Sequence, residues 1–191
     1  MTASDKRQAI LQAAEQLFQS KRFDEVTLDE VAASASVGKG TIYLYFRDKE
    51  DLFHQLAEDG FREIEEGLEK IAASSLPVKD KLVGVGRELG DVFSRRQGFF
   101  KMLHSREFQS KNPVANKAFR KHTKGLGRIM QGLLEQGVRA GLLRPDLDLD
   151  VAECLFIGSM ISRARRTRHG ECEISIEGLV ELFLAGAGKA V

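Results

Sequence analysis

The chain has 191 residues, of which 42% are hydrophobic and 30% are charged, and its formal net charge is +1. This length fits one large domain or two smaller ones, and the composition is ordinary for a globular protein. The near-neutral charge indicates no particular partner, and the N-terminus lacks the apolar core of a signal peptide. The most apolar stretch, residues 151–161, is too short to cross a membrane and contains Glu153.

The cysteine usage fits a reducing compartment. Cys154 and Cys172 form neither a disulfide framework nor a metal-binding pattern, so we expect a cytoplasmic protein. Both thiols are interpreted as structural or incidental, since oxidant sensing needs an exposed thiolate of low pKa. The four histidines show no metal-ligand spacing, and we expect neither a metal nor a cofactor.

Helix-forming residues dominate, and apolar residues recur at helical spacing almost throughout. An amphipathic helix around residues 9–18 precedes a short helix that starts at a capping box of Thr27 and Glu30. Val26 and Val31 flank this start as a hydrophobic staple. The fold class is therefore all-α, and we expect further helices at about 39–46, 48–73, 78–96, 97–109, 113–140, 149–168 and 174–188.

Residues 38–50, GKGTIYLYFRDKE, begin like a phosphate-binding loop. Such a loop needs a glycine, four further residues, and then Gly-Lys followed by Ser or Thr. Here Gly40 occupies the Ser/Thr position and Ala33 occupies the position of the first glycine. The segment before it has helical spacing instead of a β-branched strand. A nucleotide-binding loop is therefore excluded.

Two short helices joined by a tight turn instead predict a helix-turn-helix, whose second helix enters the major groove of DNA. Val31, Ala35, Val37, Ile42 and Tyr45 can be buried together. Lys39 is expected to contact a guanine edge or the backbone, and Thr41 a base edge or a phosphate. Tyr43, Lys49 and the Thr27 cap are expected to contact phosphates. Gly40 would lie at the groove floor.

The segment TLDEVAASASVGKGTIYLYFRDKEDLF resembles the DNA-binding segment of TetR-type transcriptional regulators. The segment contains Lys-Gly-Thr-Ile-Tyr, then the aromatic pair Tyr45 and Phe46, then Lys-Glu-x-Leu, and this pattern is specific. The resemblance covers about the first 55 residues. The resemblance implies a DNA-binding domain at 1–50 and an effector-binding and dimerisation domain at 51–191. The residues that it assigns to DNA binding are Thr27, Lys39, Gly40, Thr41, Tyr43, Tyr45 and Lys49.

Three residues depart from the family pattern. Ser36 stands where the turn usually has glycine, which requires either a left-handed backbone or a different turn. Gly38 stands where the second helix usually has a capping side chain, and Arg22 replaces a glycine after the first helix. Residues 1–50 carry seven basic and eight acidic side chains, so the positive residues must share one face if DNA is to bind.

The resemblance implies a homodimer that pairs through the last two helices, at about 149–168 and 174–188, and a cavity for an unknown small-molecule effector. The apolar final helix needs cover, either from a second subunit or from the monomer's own core. His104 and His122 are interpreted as surface or satisfied histidines, although either would suit an apolar pocket as its polar anchor. The candidate cavity residues, each equally compatible with ordinary core, are Phe93, Phe99, Met102, Leu103, Phe119, His122, Met130 and Phe156.

The basic run at 163–169, RARRTRH, is interpreted as a solvated helix C-terminus, with an anionic effector as the alternative. The sequence as a whole predicts a regulator of the TetR type that binds double-stranded DNA at a palindromic operator, with repression as the expected effect. An all-helical hydrolase or transferase is the enzyme alternative, and no nucleophile-base pair or paired carboxylates support it. The other alternative is a helical interaction protein that retains the fold without specific DNA binding.

Overall fold

The computed structural model describes residues 2–96, 100, 113–168 and 174–188, without the side chains of 113–119 and 167–168. The described residues contain no β-strand, and a short 3-10 turn lies at Phe23–Glu25. Most of the helix expected at about 97–109 lies outside the described residues. The described helices are α1 (Ala3–Ser20), α2 (Leu28–Ser34), α3 (Lys39–Tyr45), α4 (Lys49–Ala73), α5 (Val78–Arg95), α6 (Pro113–Arg139), α7 (Leu149–Arg168) and α8 (Ile176–Ala187).

The chain divides into two compact units. One consists of residues 1–61 and 96–121, and the other of residues 62–95 and 122–191. The first unit contains α1, α2, α3 and the first half of α4. The second contains the remainder of α4, α5, most of α6, α7 and α8. The all-α class expected from the sequence is confirmed.

The core of the first unit lies where α1 packs on α2 and α2 packs on α3. Ile10, Val31 and Ile42 are fully buried there. The rings of Phe18, Phe23 and Phe53 form a cluster with centroids 6.0–6.2 Å apart. This cluster joins the end of α1, the 3-10 turn and the start of α4.

The second unit is built on the packing of α5 against α7 and α8. Gly86 permits this close approach, because a Cβ at that position would lie 2.7 Å from Ile176 Cγ2 and 3.0 Å from Met160 Sδ. The ammonium of buried Lys81 donates to the Ala72 carbonyl oxygen at 2.8 Å and to Gln136 Oε1 at 2.9 Å. Lys81 therefore satisfies a terminal carbonyl of α4, where a cation also suits the helix dipole.

The end of α6 is a Schellman motif. Gly141 has φ +71°, its N–H donates to the Val138 carbonyl, and the Leu142 N–H donates to the Gly137 carbonyl. The chain then meets the end of α8, where the Arg144 N–H donates to the Ala187 carbonyl at 3.0 Å. This last hydrogen bond fixes the start of the α6–α7 loop to the end of α8.

None of the helices in the described part of the chain is long and apolar enough to cross a membrane. The same residues bring together no group of three His, Cys, Asp or Glu side chains that would hold a metal ion.

Candidate nucleic-acid interface

The turn between α2 and α3 is a Schellman motif built on a serine. The Ser36 N–H donates to the Ala33 carbonyl at 3.1 Å, and the Val37 N–H donates to the Ala32 carbonyl at 2.9 Å. This geometry requires a left-handed residue between the helices, and Ser36 adopts it with φ +55°. Of the two turns that the sequence left open, the left-handed one is therefore present. Ser36 carries the backbone strain that glycine would avoid.

The start of α2 is a complete capping box, as the sequence predicts. The Glu30 N–H donates to Thr27 Oγ1 at 3.2 Å, and the Thr27 N–H donates to Glu30 Oε2 at 3.1 Å. Lys21 Nζ also donates to Glu30 Oε1 at 2.7 Å and lowers the pKa of that carboxyl, together with the Thr27 N–H. Val26 and Val31, the expected staple, are both buried. The position of α2 is thus fixed at both of its ends.

The inner face of α3 anchors the helix in the first unit. Ile42 is fully buried, Phe46 directly after the helix is buried, and Tyr45 is half-buried with its ring 6.4 Å from that of Phe46. Tyr45 therefore packs at the edge of the core. A direct DNA contact of Tyr45 stays a prediction.

The outer face of α3 is exposed along its length. The Lys39 side chain is 72% exposed, Tyr43 is 57% exposed and Leu44 is 82% exposed. A Cβ at Gly40 would meet no atom within 4 Å, so the packing of this chain does not require a glycine there. Thr41 is half-buried, and its N–H donates to the Gly38 carbonyl at 2.8 Å.

Lys39 is hydrogen-bonded to Asp29, an acidic residue in the first turn of α2. The hydrogen bond from Lys39 to the Asp29 carboxylate raises the pKa of Lys39 above its ordinary value. Both side chains are at least half exposed, so solvent weakens this ion pair. A competing phosphate or base edge can therefore displace Asp29.

Lys49 connects the start of α4 to the 3-10 turn. Its ammonium donates to the Phe23 carbonyl at 2.7 Å and lies 4.4 Å from the centre of the Phe23 ring. The side chain is half-buried, so Lys49 has a positioning role in addition to its expected phosphate contact. Nearby Arg47 is 85% exposed and pairs with Asp51 at 3.4 Å.

The sequence analysis did not identify two residues of this interface, Leu44 on the outer face of α3 and Asp29 in the first turn of α2. Ile42, Tyr45 and Phe46 already fill the inward positions of α3, and this pattern alone places Leu44 on the outward side. Asp29 had a weaker signal, because only the packing of α2 on α3 brings its carboxylate to Lys39.

The candidate effector residues fall into described and undescribed groups. His122 is buried, and its Nδ1 lies 3.1 Å from Glu65 Oε1. Met130 and Phe156 are buried, Phe93 is half-buried, and the Phe156 ring packs edge-on against Phe183 at 5.1 Å. Their role as effector contacts stays a prediction. Phe99, Met102, Leu103, His104 and the side chain of Phe119 lie outside the described residues.

Residues 10–56, which run from α1 into α4, match the family model of bacterial regulatory proteins of the tetR family. Residues 10–56 are therefore similar to the N-terminal region of tetR-family regulators. The match covers every residue placed above at the helix-turn-helix, including the Schellman turn and the exposed face of α3. The TetR resemblance expected from the sequence is confirmed.

Relatives along most of the chain are named as HTH-type transcriptional regulators. The uncharacterized HTH-type transcriptional regulator YhgD of Bacillus subtilis is 27% identical over 94% of this chain and 95% of its own length. The HTH-type transcriptional repressor BepR of Brucella suis is 26% identical over 88% of this chain and 83% of its own. The structure of the transcriptional regulator FadR from Bacillus subtilis in complex with stearoyl-CoA has a TM-score of 0.76 at 21% identity. The match covers 93% of this chain and 95% of the FadR chain.

Proposed function

We propose that this chain is a TetR-family transcriptional repressor that binds a palindromic DNA operator as a homodimer and leaves it when a small-molecule effector binds. Residues 1–50 would bind DNA, and residues 51–191 would bind the effector and the second subunit. The observation that supports the proposal most is the exposed outer face of α3. That face presents an ammonium, a phenol and bare backbone on a helix whose opposite side is buried.

The chemistry of the α3 face suits a major groove. Lys39 would donate to a guanine edge or the backbone after releasing Asp29, and Thr41 would contact a base edge or a phosphate. Tyr43 would donate its hydroxyl to a phosphate, and Gly40 would let the helix backbone approach the groove floor. The phosphate contacts proposed for Thr27 and Lys49 would fix the register of the helix on the duplex.

The electrostatic attraction to DNA would be modest. Arg7 on α1 is held by Asp59 at 3.3 Å and by Gln55 at 2.9 Å, so it braces α4. Lys39 and Arg47 are the strongly exposed cations beside the α3 face. Because each neutralised phosphate contributes about −0.9 to the salt slope, we expect a shallow slope per subunit.

An apolar face on α7 and α8 supports the homodimer. Val151, Leu155 and Leu182 are 53%, 64% and 71% exposed and border an apolar groove of about 390 Å³. Exposed apolar side chains that adjoin one groove favour an interface over isolated surface positions. A second copy of this chain would cover the groove symmetrically, which suits a two-fold symmetric DNA site.

Effector control would require that the ligand favour the arrangement that does not bind DNA, with a coupling of about 1–3 kcal/mol. Helix α4 would transmit the conformational change, because it is continuous from Lys49 to Ala73, where Lys81 binds the Ala72 carbonyl. Phe93, His122, Met130 and Phe156 are the described candidates for the ligand pocket. Stearoyl-CoA is the first compound to test, given the FadR complex of the same fold.

The test is a titration of the protein with DNA from upstream of its own gene, at two salt concentrations, with a scrambled DNA as control. We expect tight binding of two subunits per site, and this binding should be lost when the DNA sequence is scrambled. Addition of an effector such as stearoyl-CoA would weaken that binding. Weak binding, equal for both DNAs and abolished by salt, would count against the proposal and favour a helical interaction protein.

A further inference from the structure

Leu44 is the most exposed of the large apolar side chains that the structure describes. It is 82% exposed, although it lies near the end of α3 between buried Ile42 and buried Phe46. A leucine in this position contributes little to the free energy of folding, because burial in the native state is what stabilises an apolar side chain. The side chain is therefore available for contact with another molecule.

The position of Leu44 on α3 places it on the proposed DNA face. Residues four apart lie on the same side of a helix, so Leu44 shares a side with Gly40, and helical side chains lean toward the N-terminus of their helix. Gly40 has no side chain, and the space around it is open. The isobutyl group of Leu44 thus borders the thinnest part of the helix, where the groove floor would come closest.

Only one kind of apolar group projects from base edges into the major groove, the 5-methyl group of thymine. We propose that Leu44 reads a thymine in each half-site by packing against that methyl group. This inference rests on the proposed function, since it requires α3 to lie in the groove. Leu44 would make the operator selective for a thymine at one position, while Lys39 and Thr41 supply the polar contacts around it.

The experiment begins with an operator obtained by selection from a random double-stranded DNA pool. Each thymine of one half-site is then replaced in turn by deoxyuridine, which removes the methyl group and keeps the base pairing. For the unaltered protein we expect one position at which the loss of the methyl weakens binding about fourfold. For Leu44→Ala we expect weaker binding to the thymine site and equal affinity for the thymine and uracil versions.

Leu76→Ala is the matched control, because Leu76 is also exposed but lies between α4 and α5. It should retain the fourfold difference between the two DNAs. If no thymine is sensitive in the unaltered protein, the inference is wrong, and this result needs no variant. If Leu44→Ala retains the full difference, another residue reads the methyl group. If selection yields no site at all, the proposed function fails and this inference fails with it.

Discussion

The ammonium of Lys39 at the start of α3 is hydrogen-bonded to the carboxylate of Asp29 in the first turn of α2. The residue proposed to contact a base edge is thus neutralised by an acid within the same motif. DNA must displace this acid, and the displacement subtracts from the binding free energy. The exposed pair is weak enough for that displacement to occur.

Removal of that acid should strengthen DNA binding. We predict that Asp29→Asn tightens operator binding about twofold to fivefold, because the Lys39 ammonium is released and a negative charge near DNA is lost. The gain should shrink at high salt. Asp146→Asn is the control, since Asp146 is an exposed acid paired with Arg144 in the second unit. Weaker binding by Asp29→Asn would mean that Asp29 positions Lys39 for its contact.

Gly40→Ala should separate stability from DNA binding. We predict a gain of about 0.5–1 kcal/mol in the free energy of unfolding, because alanine favours the helix and its Cβ has open space. Operator affinity should fall at least about tenfold, because the methyl group would meet the groove floor. Chemical denaturation and DNA titration measure the two effects.

Gly132→Ala serves as the matched control for that substitution. Gly132 lies within α6 and also has no atom within 4 Å of an added Cβ. It should give a similar gain in stability with unchanged operator affinity. Undiminished DNA binding by Gly40→Ala would show that α3 does not approach DNA at this residue.

Lys49→Ala should affect both folding and DNA binding. We predict a loss of about 1–2 kcal/mol of stability, because the Phe23 carbonyl and the Phe23 ring lose their cation. If Lys49 also contacts a phosphate, the salt slope should fall by about one per subunit, alike for all DNA sequences. Lys124→Ala, at an exposed position of α6, is the control. An unchanged slope would leave Lys49 with a positioning role alone.

Ser36→Gly should stabilise the chain by about 1 kcal/mol. The reason is that glycine adopts the left-handed backbone of the turn without the strain that a Cβ introduces. The matched control is Ser34→Gly in the last turn of α2, where the same change should cost about 0.5 kcal/mol. Thermal unfolding of both variants gives the comparison, and a destabilised Ser36→Gly would contradict the strain argument.

Leu182→Glu should disrupt the proposed homodimer. A carboxylate at this exposed position of α8 would be buried without a partner when a second copy covers the groove, at a cost of several kcal/mol. Sedimentation should show a monomer with an intact helical spectrum and weakened operator binding. Leu76→Glu, at an exposed leucine that does not line the groove, should remain dimeric. A dimeric Leu182→Glu would place the interface elsewhere.

Much of this architecture could be predicted because its signals are local. The Thr27–Glu30 capping box and the Val26–Val31 staple both follow from residues three to five apart in the sequence. The buried position of Ile42 follows from helical periodicity in the same way. These local signals, together with the family pattern, indicated the helix-turn-helix.

The contacts of the cationic side chains could not be predicted, because they depend on tertiary packing. Lys49 reaches a carbonyl 26 residues earlier in the chain, and Lys39 reaches an acid ten residues earlier. Neither separation is the three or four residues that join neighbours on one helix, so helical periodicity does not predict either contact. The sequence identifies these residues as basic, and only the packing shows where each ammonium lies.

Selection of binding sites from a random double-stranded DNA pool with the purified protein is the sharpest test of the claim that the outer face of α3 reads DNA sequence. We expect enrichment of one inverted repeat whose half-sites lie about one helical turn apart. Gly40→Ala, which keeps the fold, should fail to enrich it. A pool that stays random with the unaltered protein, although some DNA is retained at low salt, would contradict the claim.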